Sequence, residues 1–152
     1  SGVHLNADQS RITIHDLPDL PGHCSTVFNA VATGGILVDM IVQNTTAPGR
    51  AELSFTVPAA DLTRALKRTQ DVVRAIDPAC AVVGDADVAV LYVLGVGMRT
   101  HTGVARTMFG ALADKNINIA MINTSEVCIG VVVEKARGDE ALTCLKAAFG
   151  VP

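Results

Sequence analysis

Apolar residues along the chain follow two spacings, one typical of helices and one typical of strands. In residues 24–31 they fall at i, i+3, i+4 and i+7, which predicts a helix with one buried face. In residues 53–57 they alternate with polar residues, which predicts a strand with one buried face. Residues 88–96 are almost wholly apolar, and so short a run predicts a buried strand.

The same spacings extend the prediction over the rest of the chain. The predicted strands are residues 11–15, 36–43, 53–57, 80–84, 88–96 and 117–124. The predicted helices run from Gly22 to Gly34-Gly35, from an N-cap at Asp61 to Ile76, from Gly103 to Lys115-Asn116, and over residues 140–149. Glycine and asparagine both tolerate the left-handed backbone that ends a helix.

Part of the chain repeats itself. Residues 21–44 align without a gap with residues 102–125, at an offset of 81. The shared residues include a glycine before the helix, a phenylalanine and two alanines within it, and Ile36 and Met40-Ile41 after it. Two copies of one supersecondary unit explain this match.

Each copy has the order β-α-β-β-α-β, which predicts an α+β fold of two ferredoxin-like βαββαβ domains. Each domain would have an antiparallel sheet with two helices on one face. Copy two reaches Pro152 before its fourth strand, and copy one has a spare segment at residues 2–8. We therefore expect domain one at 11–84, and domain two at 85–152 with residues 2–8 completing its sheet, since an unpaired edge invites aggregation.

Composition excludes several classes of protein. The net charge is −3 without a basic cluster, which is unfavourable for nucleic-acid binding, and the apolar runs are too short to span a membrane. The four cysteines form no CxxC pair, which favours free, buried thiols in a reducing cytoplasm. The four histidines lack metal-ligand spacing, so we expect no metal site.

The segment HDLPDLPGHCSTVF, residues 15–28, contains the strongest candidate site. A helix that starts after a glycine turn presents free amides, here of Gly22, His23 and Cys24, and these amides could bind a carboxylate. Asp19, held between two prolines, could pair with an ammonium group. Together they would suit an amino acid, although the same residues could simply turn a strand into a helix.

Other polar residues interrupt apolar segments near the helices. Asp39 lies in the predicted second strand, and a cluster at residues 43–46 follows it. In copy two the matching residues are 116–118 and 124–126. These residues could bind a ligand or could be ordinary solvated strand ends.

Motifs of catalysis are absent from the sequence. The glycines of GVGMRTHTG, residues 95–103, do not form GxGxxG, because Thr100 occupies the third glycine's place. A GKS/T loop and a GxSxG nucleophile elbow are also missing. A small transferase using Arg99 and His101 is therefore a minor alternative, and the sequence favours a binding module.

Several motifs in order closely resemble the regulatory region of aspartokinases, which consists of tandem ACT domains. They are LPDLPG (17–22), VDMIVQN (38–44), LSFTVP (53–58), GVGMRTHTGVA (95–105), INIAMINTSE (117–126) and AAFG (147–150). The resemblance covers nearly the whole chain from about residue 3. It implies a homodimer that binds lysine, threonine or both between its ACT domains and cooperates with an aspartokinase catalytic domain or alpha subunit.

The resemblance also implies that this chain lacks the catalytic domain of an aspartokinase. The kinase domain, which would hold ATP and Mg, falls outside the match, so we expect no cofactor and no phosphotransfer activity here. The alternative is a dimerising subunit that stabilises the kinase without sensing any ligand.

The resemblance transfers effector-binding roles to matching positions. In the first domain these are Asp19, Pro21, Gly22, Cys24, Asp39, Gln43, Asn44 and Thr46, beside the amide of His23. From the partner's second domain they are Asn116, Asn118, Ile119, Ser125 and Glu126. Three residues depart from the family pattern: Cys24 replaces a common alanine, Thr102 a proline and Asn123 a serine. Because Cys24 is larger than alanine, we expect Cys24→Ala to tighten effector binding.

Overall fold

The computed structural model describes residues 2–95 and 100–152, and these residues form six strands and four helices. The strands are β1 (Gly2–Pro18), β2 (Ile41–Ala47), β3 (Arg50–Pro58), β4 (Ala81–Leu94), β5 (Met121–Thr124) and β6 (Cys128–Glu134). The helices are α1 (His23–Thr33), α2 (Leu62–Ile76), α3 (His101–Asp114) and α4 (Gly138–Phe149). Short 3-10 turns at Ala59–Asp61 and Lys135–Arg137 lead into α2 and α4.

The chain divides into two compact units. The first unit holds residues 8–86, and the second holds residues 87–152 together with the N-terminal residues up to Ala7. The strand order is β2-β3-β1-β4 in the first unit and β1-β4-β6-β5 in the second, since β1 and β4 supply residues to both. Antiparallel pairing of β3 with β1 and β2, and of β6 with β4 and β5, confirms the predicted α+β fold class.

The core of the first unit lies between its sheet and helices α1 and α2. Ile12 and Phe55 from the sheet are fully buried together with Val27 and Val31 from α1. The rings of Phe28 and Phe55 meet edge to face, with centroids 5.2 Å apart. The predicted apolar face of the first helix is therefore the face that packs.

The core of the second unit includes the N-terminal segment. Val3 is buried among residues of β4, β6, α3 and α4, and Leu5 packs against the same cluster. A Cβ placed on Gly138 would lie 3.3 Å from both Leu5 and Ala89, so the start of α4 comes close to both strands. Residues 2–7 thus belong to the packing of the second unit.

Two pairs of predicted strands are each one longer strand. Residues 2–8 and 11–15 are continuous in β1, and residues 80–84 and 88–94 are joined through β4, so the predicted boundary at 84/85 falls inside a strand. Neither junction contains a proline, so every residue there keeps the N–H that pairing requires. The prediction for 88–96 extends to Val96, which lies outside the described residues.

The predicted strands 36–43 and 117–124 were wrong at their starts. Strand β2 begins at residue 41 and β5 at residue 121. Ile36 and Ile117 are buried beneath the helices that precede them, so the chain first crosses the core and only then joins the sheet. Asp39 therefore precedes its strand and does not interrupt it.

The helix ends confirm one prediction and correct another. Gly35 has φ 71° and Asn116 has φ 56°, so both take the left-handed conformation expected where α1 and α3 end. Asp61 was predicted to cap α2, but its side chain makes no capping hydrogen bond. Its carboxylate instead accepts a hydrogen bond from Arg64 over 2.9 Å.

The cysteines are free, as predicted, but all four are half-buried, so the expectation of buried thiols was wrong. Cys24 and Cys80 pack beside the core of the first unit, and Cys144 packs beside that of the second.

Candidate ligand-binding site

The turn between β1 and α1 is tied to the hairpin of β2 and β3. Strand β1 ends at Pro18, and the backbone N–H of Asp19 donates to the carbonyl of Gly49 over 3.0 Å. Pro48 and Gly49 form the two-residue hairpin turn, in which Gly49 has φ 77°. The backbone at Asp19 is therefore fixed while its carboxylate is exposed.

Helix α1 begins without a side-chain cap. Its N-cap is Gly22, in the left-handed conformation (φ 95°, ψ −18°), and no side chain makes a capping hydrogen bond there. The N–H and hydroxyl of Thr26 both donate to the carbonyl of Gly22 over 2.9 Å, which anchors the first turn. The N–H of His23 is directed at the carbonyl of Leu20 at 3.5 Å, so this predicted amide donor is partly engaged within the turn.

The thiol of Cys24 connects the helix start to strand β2. Its Sγ donates a hydrogen bond to Oε1 of Gln43 over 2.8 Å. Burial raises the pKa of the Cys24 thiol, and the negative charge of Asp19 raises it further. Cys24 and Gln43 are therefore in contact, although 19 positions separate them in sequence.

The equivalent helix of the second unit begins differently. At the 81-residue offset Gly22 corresponds to Gly103, which is the third residue of α3. The N-cap of α3 is Thr100, whose hydroxyl accepts a hydrogen bond from the N–H of Gly103 over 3.1 Å. The start of α3 thus has a side-chain cap, which the start of α1 lacks.

Solved structures with the same fold identify the family. The regulatory subunit of aspartate kinase from Thermus thermophilus has a TM-score of 0.89 and 36% identity, covering 98% of this chain and 97% of that chain. A chain in the crystal structure of aspartokinase alpha and beta subunits has a TM-score of 0.87 and 36% identity, covering 99% of each chain. The chain belongs to the family of aspartate kinase regulatory subunits.

Longer relatives place this regulatory region within aspartate kinase. An aspartate kinase of Stutzerimonas stutzeri is 39% identical over 149 residues, which are 98% of this chain and 36% of that protein. The chain thus spans about a third of the length of the curated relatives it matches. Residues 91–149 match the model of the ACT domain. The family resemblance inferred from the sequence motifs is therefore confirmed.

The other first-unit positions expected from the aspartate kinase family lie around β2. Pro21 is exposed just before the N-cap of α1, and Asp39 is exposed ahead of β2, with its N–H donating to the carbonyl of Thr56 over 3.1 Å. Asn44 lies opposite Glu52 in the hairpin, and Thr46 occupies the bulge beside it. Gln43 is joined to the helix start by the hydrogen bond from Cys24.

The expected second-unit positions lie in two segments of that unit. Asn116 to Ile119 connect α3 to β5: the carbonyl of Asn116 accepts from Arg137 over 3.2 Å, Asn118 is exposed, and Ile119 packs against the core. Ser125 and Glu126 are exposed in the β5–β6 turn, where the N–H of Ser125 donates to Cys128 over 2.8 Å. Their part in an interchain site of the regulatory subunit stays a prediction.

Arg50 joins the bulge of β1 to the residue that follows α2, a link that was not predicted from the sequence. Its guanidinium donates to the carbonyl of Asp16 over 3.2 Å and to the carboxylate of Asp77 over 3.1 Å. Asp16 is left-handed, with φ 59°, in the bulge of β1, so its carbonyl turns out of the strand ladder. The Pro48-Gly49 dipeptide could have indicated a tight turn next to Arg50, but no local pattern indicates the distant partners of Arg50.

The described residues do not support the alternative of a transferase that uses Arg99 and His101. His101 is the first residue of α3, exposed, and not in a loop as expected, while Arg99 lies outside the described residues. Within residues 2–95 and 100–152, no cluster of His, Cys, Asp or Glu is arranged to bind a metal ion. Among the helices of that same part of the chain, none is long and apolar enough to cross a membrane.

Proposed function

We propose that the start of α1 binds lysine, threonine or both as feedback effectors, and that this binding controls aspartate kinase at the first step of aspartate-family amino-acid biosynthesis. The observation that supports this function is the contrast between the two units. Helix α3 is capped by Thr100, whereas α1 starts at a glycine and has Asp19, Cys24 and Gln43 gathered beside it.

The groups at this helix start suit the two charges of an amino acid. The amides of the first turn and the helix dipole favour a carboxylate near Gly22. The exposed carboxylate of Asp19, three residues before the N-cap of α1, favours an ammonium group. Because the backbone of Asp19 is tied to Gly49, the acid is already positioned before a ligand arrives.

We infer further that the complete site needs a second chain. In a homodimer, residues 116–119 and 125–126 of the second unit would form the facing wall, as expected from the family. An effector favours one arrangement of such a dimer only by binding it more tightly than the other. A coupling free energy of about 1–3 kcal/mol to the catalytic domain or alpha subunit would suffice for feedback control.

A thermal-shift series tests the proposed function. Lysine, threonine, methionine and aspartate are added separately to the protein, and a ligand at 100 times its Kd adds about 2.7 kcal/mol of stability. For a chain of this length the melting temperature rises by about 5 to 10 °C. We expect a rise with lysine or threonine that Asp19→Ala abolishes.

The matched control is Asp71→Ala. Asp71 is an exposed acid on α2 that pairs with Lys67 one helical turn away, so its loss changes the net charge equally without touching the α1 start. The effector response of this variant should equal that of the unchanged protein. A panel without any shift would favour the alternative of a subunit that stabilises the kinase without sensing amino acids.

A further inference from the structure

The carbonyl of Asp16 accepts two hydrogen bonds from distant parts of the chain. Nη1 of Arg50, the first residue of β3, donates to it over 3.2 Å, and Sγ of Cys80, just before β4, donates to it over 3.2 Å. Asp16 is left-handed, with φ 59°, where the pairing of β1 with β3 shifts register. Side chains from two other segments therefore hold this irregular residue of β1.

The conformation of Asp16 is costly for a residue other than glycine. Such a conformation persists only where the surroundings fix it, and it is frequent beside binding sites. A bulge also bends its strand, so Asp16 sets the direction in which the chain leaves the sheet towards Asp19, three positions later. The carboxylate of Asp19 is the group that the proposed site uses for an ammonium.

The backbone around Arg50 holds the residues that follow the bulge. Arg50 lies opposite Pro18 in the pairing of β3 with β1. The carbonyl of its neighbour Gly49 accepts from the N–H of Asp19 over 3.0 Å. The hairpin thus holds this turn through its backbone, and the side chain of Arg50 holds the same turn at Asp16.

Asp77 fixes the guanidinium of Arg50. Its Oδ2 accepts from Nη1 of Arg50 over 3.1 Å, and its Oδ1 accepts from the N–H of Ala79 over 2.9 Å. The N–H of Ala79 and then Arg50 hold the pKa of Asp77 below its usual value, so this acid is ionised at neutral pH. The carboxylate of Asp77 therefore sets the position from which Arg50 reaches Asp16.

We propose that Arg50 is a positioning residue for the amino-acid site: by holding the carbonyl of Asp16, it directs the carboxylate of Asp19 towards the ammonium group of the effector. This inference rests on the proposed function and adds a residue that acts through Asp19. A positioned acid binds more tightly because it needs no ordering when the ligand arrives.

Two substitutions of opposite charge test this role. Arg50→Met removes a positive charge and the hydrogen bond to Asp16. Asp77→Asn removes a negative charge, and because its Oδ1 stays bonded to Ala79, its amide group faces Arg50 and cannot accept. A pure charge effect would change the affinity in opposite directions, whereas a loss of positioning weakens binding in both variants.

Calorimetric titration with lysine and with threonine measures the two affinities. We expect the Kd of the bound amino acid to rise about tenfold for Arg50→Met and about threefold for Asp77→Asn, as for the loss of one hydrogen bond. Lys67→Met and Asp71→Asn make the same charge changes in an exposed pair on α2 and should leave the Kd within about twofold. The proposal is wrong unless both Arg50→Met and Asp77→Asn weaken binding.

Amide exchange without a ligand separates positioning from general destabilisation. NMR follows the N–H of Asp19, bonded to Gly49, and the N–H of Gly35, bonded to Ala32 at the other end of α1. Arg50→Met should accelerate exchange at Asp19 about tenfold and leave exchange at Gly35 unchanged, since only the turn is released. Equal acceleration at both amides, or none at Asp19, would refute the positioning role.

The two measurements together distinguish failure of this inference from failure of the proposed function. If the unchanged protein binds lysine or threonine but exchange at Asp19 does not respond to Arg50→Met, the proposed function stands and the inference fails. If exchange at Asp19 responds but no amino acid binds the unchanged protein, the proposed function fails, and the role of Arg50 in binding fails with it.

Discussion

At the scale of single residues, the two repeats differ most in how their first helices begin. Gly22 leaves α1 without a side-chain cap, while Thr100 caps α3 through its hydroxyl. Replacing a capping Ser, Thr, Asn or Asp by glycine costs only about a few tenths of a kcal/mol, so the missing side-chain cap at Gly22 destabilises α1 very little. The first turn of α1 therefore has no side-chain acceptor of its own at its start, which is the feature that the proposed ligand site uses.

A residue-scale prediction concerns the ion pair of Arg50 and Asp77. The N–H of Ala79 and the guanidinium of Arg50 hold the pKa of Asp77 below its usual value. A carboxyl with a depressed pKa in the folded state stabilises above its unfolded pKa and loses that contribution as pH falls towards the folded value. We expect the stability difference between the unchanged protein and Asp77→Asn to shrink as pH falls from about 5 to about 3.

Urea unfolding at each pH measures this difference. Asp71→Asn is the control, because Asp71 forms an exposed i,i+4 pair with Lys67 on α2. Its effect should be small at every pH, as is typical of exposed helix pairs. A difference for Asp77→Asn that stays constant with pH would contradict the role assigned to its hydrogen bonds.

At the scale of elements, the ends of α1 and α3 use different residues for one conformation. Gly35 and Asn116 correspond at the 81-residue offset, and both have positive φ. A Cβ added to Gly35 would meet nothing within 4 Å, so sterics against neighbours do not decide which residue fits there. The backbone conformation alone decides it.

This comparison gives a prediction for α1. Gly35→Ala should lower the free energy of unfolding by about 1–2 kcal/mol, because alanine pays for the left-handed conformation. Gly35→Asn should cost clearly less, since asparagine tolerates that conformation and occupies it at position 116. Chemical denaturation of the two variants checks the order, and equal losses would mean that the added side chains, not the backbone, are responsible.

The sequence predicted the elements well and the strand limits poorly. Local spacing marks the buried face around Val27 and Val31 because helical packing repeats every three to four residues. The starts of β2 and β5 were misplaced because Ile36 and Ile117 are buried against helices before the sheet begins. The spacing of apolar residues does not distinguish such a segment from a strand.

The candidate site was predicted only in part, for a similar reason. Asp19, Gly22 and Cys24 are neighbours in sequence, so a turn motif could identify them. The hydrogen bond from Cys24 to Gln43 and the bonds of Arg50 to Asp16 and Asp77 join distant segments. Such contacts depend on tertiary packing, which has no local pattern.

At the scale of the whole molecule, the chain uses its first residues to complete its last unit. Strand β1 contributes residues up to Ala7 to the unit that otherwise begins at Asp87. Val3 is buried in that core, while its neighbour His4 is exposed on the same strand. The two residues therefore form a matched pair for testing the contribution of the N-terminal segment.

Val3→Ala should lower the free energy of unfolding by about 1–2 kcal/mol, because it removes buried methyl groups and leaves a small cavity. His4→Ala should change it by less than about 0.5 kcal/mol, as is usual for an exposed residue. Hydrogen exchange locates the effect: Val3→Ala should accelerate exchange in β6 and α4 more than in α1 and α2, since local openings follow the weakened core. Equal exchange in both units, or equal losses for the two variants, would show that residues 2–7 are not part of the second core.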